Sequence, residues 1–171
     1  MAFSSKTGDR DVIYLYDLRI GKISGEFASD DLIAARSPRF SPDGRQVAFS
    51  GVDKAGFADL YLLSLTDGTI QRLTHDLYYD IDPDFSIDGR RIVFASDRCP
   101  DGAGGASNLY SLELSTGNIL RLTYGNWRDR SPDVTGRGVF FSSDRQGSFN
   151  IFLLDSSGEL SAQSTFATAA F

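Results

Sequence analysis

Residues 37–74, SPRFSPDGRQVAFSGVDKAGFADLYLLSLTDGTIQRLT, constrain the fold more than any other part of the chain, because the rest of the sequence repeats them. A short extended piece turns at Pro42-Asp43-Gly44 into an apolar strand over 46–50. A polar gap leads to a second strand over 59–65, a tight turn at Asp67-Gly68 and a third strand over 69–74. Pro38, Pro83 and Pro132 open three such blocks, spaced by 45 and then 49 residues. Ser41-Pro42-Asp43-Gly44-Arg45 recurs as Ser86-Ile87-Asp88-Gly89-Arg90 and, more loosely, as Val134-Thr135-Gly136-Arg137. Phe49, Phe94 and Phe141 mark one strand, and Asp59-Leu60-Tyr61, Asn108-Leu109-Tyr110 and Asn150-Ile151-Phe152 open the next. Gly68, Gly117 and Gly158 turn the chain out of it, and Leu73-Thr74 and Leu122-Thr123 close the third.

The N-terminus joins late: Ala2-Phe3-Ser4 matches Ala48-Phe49-Ser50, Ile13-Tyr14-Leu15 matches Leu60-Tyr61-Leu62, and Gly21 matches Gly68. The chain therefore reads as one domain, 1–171, holding four copies at about 1–36, 37–80, 81–128 and 129–171. The first lacks its opening strand and hairpin.

Val47-Ala48-Phe49, Ile92-Val93-Phe94 and Val139-Phe140-Phe141 are short continuous apolar runs, as expected of strands covered on both faces. Their Asp-Gly and Thr-Gly boundaries favour hairpins, whose φ > 0 positions glycine fills without steric cost. Only 30–36, DDLIAAR, has a helical period, long enough for about two turns. A unit of four short strands cannot bury both faces alone, but radial stacking of such units gives a β-propeller. A β-sandwich would satisfy the alternation and leave the repeating turn pattern unexplained. The expected fold is all-β: a propeller of four blades of four antiparallel strands, the first without its inner strand, partial or completed by oligomerisation.

These residues resemble the TolB-type repeat, also called WD40-like or PD40, with its Ser-Pro-Asp-Gly hairpin, Phe-Ser strand end, Asp/Asn-Ile/Leu-Tyr strand and closing Leu-Thr. The resemblance covers nearly the whole chain and departs from the pattern at Ile87 and in the third hairpin. It implies a partner-binding propeller in a bacterial, periplasmic or other extracytoplasmic setting. It also implies the gating propeller of prolyl-oligopeptidase-like or tricorn-like hydrolases, and the related oligogalacturonate lyases. Propellers of this kind commonly have six to eight blades, so the chain resembles part of one.

A net charge of −6 argues against a nucleic-acid partner, which selects basic surfaces. No apolar run is long enough for a membrane span. One cysteine, Cys99, excludes an internal disulfide and a zinc site built on several thiolates, and it reads as an incidental loop thiol. His75 is the single histidine, and no Gly-x-Ser-x-Gly elbow accompanies it, so a nucleophilic site has no base other than a loop histidine. Gly102-Ala103-Gly104-Gly105-Ala106 lacks the following helix of a phosphate loop and reads as a flexible link. Asp76, Asp80, Asp82 and Asp84 share one link, and Asp97, Asp101, Asp129, Asp133 and Asp144 fall in similar ones, but none follows an EF-hand register. No cofactor and no metal site is expected. Asp43, Asp67 and Asp88 read as turn residues, and Asp59, Asn108 and Asn150 as strand-entry caps.

What the repeat does not require is concentrated in two links. Propeller geometry places Tyr78, Tyr79, Asp80 and Asp82 on the same face as Trp127, Arg128, Asp129 and Arg130, with Arg36 at the matching place one blade earlier. Asp97, Arg98, Asp144 and Arg145 reach that face from other links. Tyr, Trp and Arg are the usual interface anchors; the structural alternative is a set of surface ion pairs. The expected function is a non-catalytic binding or scaffold module that engages a protein or peptide through Tyr78, Tyr79, Asp80, Asp82, Trp127, Arg128 and Arg130 at its rim or channel. The alternative is the gating propeller of a hydrolase whose catalytic domain lies elsewhere, and a metal-dependent carbohydrate lyase is a third reading. The open inner edge of the first copy allows a homodimer that completes an eight-bladed ring, or a fold-back of the tail at 166–171.

Overall fold

Fifteen strands make up the computed structural model, which describes residues 1–98 and 105–162. The first sheet holds β1 (Ala2–Thr7), β2 (Arg10–Asp17) and β3 (Lys22–Phe27). The second holds β4 (Leu32–Phe40), β5 (Gln46–Asp53), β6 (Ala58–Ser64) and β7 (Ile70–Arg72). The third is β8 (Asp80–Phe85), β9 (Arg91–Ser96), β10 (Asn108–Glu113) and β11 (Ile119–Arg121), and the fourth β12 (Arg130–Thr135), β13 (Gly138–Ser143), β14 (Asn150–Asp155) and β15 (Leu160–Ala162). Every sheet is an antiparallel meander in sequence order. Each packs on its sequence neighbours, β2 on β4, β5 on β8 and β8 on β12, and the array is a propeller arc that does not close.

Residues 30–36 are not helical. β4 takes in Leu32–Arg36, pairing Leu32 with Asp53 and Ala35 with Gly51, while Leu32, Ala34 and Ala35 are buried and Ile33 and Arg36 exposed. Two helical turns are marginal in isolation, and the ladder to β5 satisfies the same backbone groups with tertiary burial added. Among the described residues no helix is long and apolar enough to cross a membrane.

The turns obey their residue chemistry. In the first full hairpin Asp43 accepts the Ser41 hydroxyl (2.7 Å) and the Arg45 amide (3.0 Å), with Gly44 at φ 70°. Asp88 accepts Ser86 and Arg90 in the same way. In the third hairpin, which has neither Ser nor Asp, Thr135 takes over, accepting the Arg137 amide at 3.2 Å and donating to the Gly138 carbonyl at 3.0 Å. These bonds hold the exposed Asp43 and Asp88 carboxyls below the usual carboxylate range.

The core consists of three junctions between sheets. Ile13 of the first sheet meets Val47, Phe49 and Tyr61 of the second; Ala48, Leu60 and Leu62 meet Phe85, Phe94 and Tyr110 of the third; Ala95 and Leu109 meet Phe141 and Phe152 of the fourth. One aromatic pair recurs in every sheet, Phe3–Tyr14, Phe49–Tyr61, Phe94–Tyr110 and Phe141–Phe152, with centroids 5.4, 5.5, 5.9 and 6.0 Å apart. Each fully buried Leu or Phe at these junctions contributes about 1.5–3 kcal/mol.

Candidate functional site

Antiparallel order places the β5–β6, β9–β10 and β13–β14 links on the same face as the links that lead from one sheet to the next. On that face a polar network recurs. Thr74 accepts the Leu60 amide (3.0 Å) and donates to Asp59 (3.1 Å), while Arg72 binds Asp59 and donates to the Thr74 carbonyl (3.0 Å). Asp80, with no exposed surface, accepts the Ser96 hydroxyl (2.6 Å) and the Arg98 guanidinium. One repeat later, Thr123, Arg121, Asn108, Asp129, Ser143 and Arg145 form the same set, Thr123 donating to Asp129 at 2.6 Å and Arg145 to Asp129 at 2.8 Å. Arg98 and Arg145 also lie over the recurrent aromatic pairs, 4.9–5.6 Å from the centroids. Burial pushes the Asp80 carboxyl above its ordinary value, against the pull of Arg98 and Ser96.

The network settles what these groups do. The carboxylates of Asp59, Asp76 and Asp80 lie within 4.8 Å of one another; Arg72 pairs with Asp59, and Arg98 with both Asp76 and Asp80. Asp80 and Asp129 are closed to any ligand. Asn108 bonds backbone at its strand entry, donating to the Ser107 and Gly125 carbonyls, whereas Asp59 accepts from the Thr74 hydroxyl and the Arg72 guanidinium and leaves the Leu60 amide to Thr74. His75 is exposed and enters no such network. Cys99, Asp101 and the tail at 166–171 lie outside the described residues.

What remains on this face is aromatic and held in place. Tyr79 is half exposed, its amide donating to Asp97 (2.8 Å) and its hydroxyl to the Gly56 carbonyl (3.2 Å). Tyr78 stands 5.4 Å from the Arg98 guanidinium. In the next link Asp144 accepts both the Arg128 amide (2.8 Å) and its guanidinium (2.7 Å), and Arg128 covers the Phe149 ring at 5.3 Å. Trp127 is 39% exposed and its indole lies on Gly125, whose φ of 118° no side chain readily adopts. Tyr78 and Tyr79 lie in the link that leads into β8, and Trp127 and Arg128 in the equivalent link into β12.

A second feature lines the inner strands. Ser37, Asp82 and Ser131 each precede a proline, each adopts a left-handed φ of 51–54°, and each sits in a bulge of β4, β8 or β12. Asp82 joins the three, accepting the Ser37 hydroxyl (2.8 Å) and the Ser131 amide and hydroxyl (3.2 Å each), while its own amide donates to Ser50 (3.0 Å). Beside it a cleft of about 160 Å³ is lined by Arg36, Ser37, Ser50, Tyr79, Ile81 and Asp82. Arg36 and Arg130 flank Asp82 at equivalent positions of the neighbouring strands, and neither forms an ion pair among the described residues. Sequence reasoning missed Ser37, Ser50, Gly125 and Phe149. Residues preceding the repeated prolines were a usable signal for the first of these, whereas Gly125 and Phe149 carry none.

Comparison with known proteins places this arrangement. The TolB β-propeller domain family, PD40, matches residues 1–170. TolB from Acinetobacter baumannii is 25% identical with a TM-score of 0.74, over 94% of this chain and 39% of that one. A TolB candidate from Agrobacterium tumefaciens superposes at 0.77 with 23% identity, over 94% of this chain and 59% of that one. Puromycin hydrolase shares the fold at 20% identity and 0.71, over 95% of this chain and 28% of its own. An uncharacterized protein of Agrobacterium fabrum is 39% identical over 59 residues, 34% of this chain and 20% of that protein. The chain thus spans less than two thirds of each of these proteins.

Proposed function

The chain belongs to the TolB β-propeller domain family, and from that footing we propose that it is a non-catalytic binding module that takes a protein or peptide segment across its loop face. One observation carries the reading: Tyr78, Tyr79 and Trp127 stand 45, 51 and 39% exposed while their backbones and rings are already fixed. Aromatic anchors held this way give up little conformational freedom on binding, which is the property of interface hot spots. The charged groups that might serve chemistry on this face are taken up in the Asp80 and Asp129 networks, leaving Arg36 and Arg130 for a carboxylate-bearing segment beside the Asp82 cleft.

The test is to pan a random peptide display library on the purified chain and measure the enriched peptides by isothermal titration. Trp127→Ala and Tyr79→Ala each weaken binding at least about tenfold, the usual effect of removing a hot spot. Leu120→Ala, in the outermost strand β11 of the third sheet, leaves it unchanged. Absence of enrichment, or peptides whose affinity survives both aromatic substitutions, refutes the assignment.

A further inference from the structure

In the third and fourth sheets an arginine just past the second strand takes one fixed place beside the recurrent aromatic pair. Arg98 lies 5.4 and 5.6 Å from the Phe94 and Tyr110 centroids and pairs with Asp76 and Asp80. Arg145 lies 5.2 and 4.9 Å from Phe141 and Phe152 and pairs with Asp129. The second sheet keeps the aromatic pair, Phe49 and Tyr61, and it keeps the outer carboxylate: Asp31 stands four residues before Ala35 as Asp76 does before Asp80. In place of the arginine it has Asp53, and among the described residues no cation lies over either ring.

Arg72 does not make up the difference. It binds Asp59 and donates to the Thr74 carbonyl, and its counterpart Arg121 treats Asn108 and the Thr123 carbonyl in the same way in a sheet that also carries Arg98. Beside the second aromatic pair lies a cleft of about 500 Å³, walled by Ser29, Asp31, Asp53, Lys54, Tyr61 and Arg72.

Tyr61 points to what enters it. In the third sheet the Tyr110 hydroxyl donates to the Arg98 carbonyl. The corresponding Asp53 carbonyl accepts the Gly56 amide at 3.0 Å, and the Tyr61 hydroxyl has no hydrogen-bond partner among the described residues, although Tyr61 is only 7% exposed. A polar group in so enclosed a position is ordinarily paired. The carboxylates are also available. Asp31 forms no ion pair among the described residues. One oxygen of Asp53 accepts the Ala55 and Phe57 amides (2.9 and 3.1 Å), and the other comes no nearer to a cation than 3.6 Å, at Arg72.

These are three acceptors on one cleft, and Arg98 shows which group suits such a set: a guanidinium, with planar donors and weak hydration. We propose that the cleft of the second sheet is a binding site for the arginine side chain of a protein partner, bonded by Asp31, Asp53 and the Tyr61 hydroxyl. The site stands on its own lining and does not depend on the Tyr79 and Trp127 anchors.

The probe is N-acetyl-L-arginine amide, titrated into the intact chain and followed through the backbone amide resonances of Ala55 and Phe57, which report on Asp53. Expected is saturable binding that weakens at least about tenfold for the citrulline analogue, which keeps the shape and loses the charge. Asp31→Asn and Asp53→Asn each weaken it about fivefold, and Tyr61→Phe about threefold. Asp144→Asn, which removes a carboxylate bound to Arg128 in the fourth sheet, leaves binding unchanged and controls for net charge. Absence of saturable binding overturns the proposal. So does binding of N-acetyl-L-lysine amide or of the citrulline analogue as tightly as arginine, or a loss in the three cleft variants no greater than in Asp144→Asn.

Discussion

Removing Arg98 isolates the energetics of the recurrent network. Asp80 has no exposed surface and Arg98 is 14% exposed, so Arg98→Ala leaves a carboxylate inside the protein with only the Ser96 hydroxyl and nearby polar groups for support. Breaking a buried pair from one side costs about 3–5 kcal/mol, much of it the burden of the orphaned charge. The change also withdraws a guanidinium that lies 5.4–5.6 Å from Tyr78, Phe94 and Tyr110. For a chain of this size the loss corresponds to a fall of about 6–20 °C in Tm. The Asp80→Ala, Arg98→Ala double variant removes the orphan with its partner, and the two changes couple favourably by about 2 kcal/mol or more.

The molecule already contains a natural version of that double variant. At the junction of the first and second sheets Ala35 and Gly51 stand where Asp80 and Ser96 stand later, Asp53 replaces Arg98, and the Ala35 amide is taken by Asp11 at 3.1 Å. The assay is urea unfolding followed by the fluorescence of Trp127, the single tryptophan. The pH dependence supplies a second check. A carboxyl whose folded pKa is raised stabilises the fold below its unfolded value and loses that contribution as pH climbs through the folded value. Without Arg98 the Asp80 pKa rises further, so the variant regains stability as pH falls from 7 toward 5. A loss under about 1 kcal/mol for Arg98→Ala, or a double variant whose loss equals the sum of the singles, refutes the reasoning.

Asp84 is also pushed up by burial, yet its hydrogen bond from Val134 needs only an acceptor. Asp84→Asn is therefore expected to match or exceed the native stability at pH 7 by up to about 1 kcal/mol, and to flatten the decline in stability between pH 4 and 7, measured by urea midpoints. Gly125→Ala combines a strained φ with a methyl group driven into the Trp127 indole, costing about 1–3 kcal/mol and shifting the emission of the displaced tryptophan to the red. Gly51→Ser, which restores the serine of the later junctions, places its Cβ 2.6 Å from the Tyr61 ring and is expected to destabilise rather than repair the first junction, again by urea unfolding.

What was legible in the chain was whatever one residue enforces by itself. Asp43 and Asp88 bend their own hairpins, Gly44, Gly68 and Gly117 supply left-handed backbone, and the apolar runs through Phe49 and Phe94 demand cover on both faces. The network was illegible because its carboxylates and guanidiniums are 13–18 residues apart and resemble loop polarity taken singly: Asp80, included among the expected binding residues, is wholly enclosed. Yet the copies carry a signal when compared as sets. Asp80, Ser96 and Arg98 recur together as Asp129, Ser143 and Arg145, and at Ala35, Gly51 and Asp53 all three are replaced at once. Groups that appear and vanish together are satisfying one another; Tyr79 and Trp127 are held instead by backbone bonds and by the Gly56 carbonyl and Gly125, and each keeps part of its ring exposed. That separation, between side chains consumed by the repeat and side chains merely carried by it, is the physical ground for placing binding on the aromatic face.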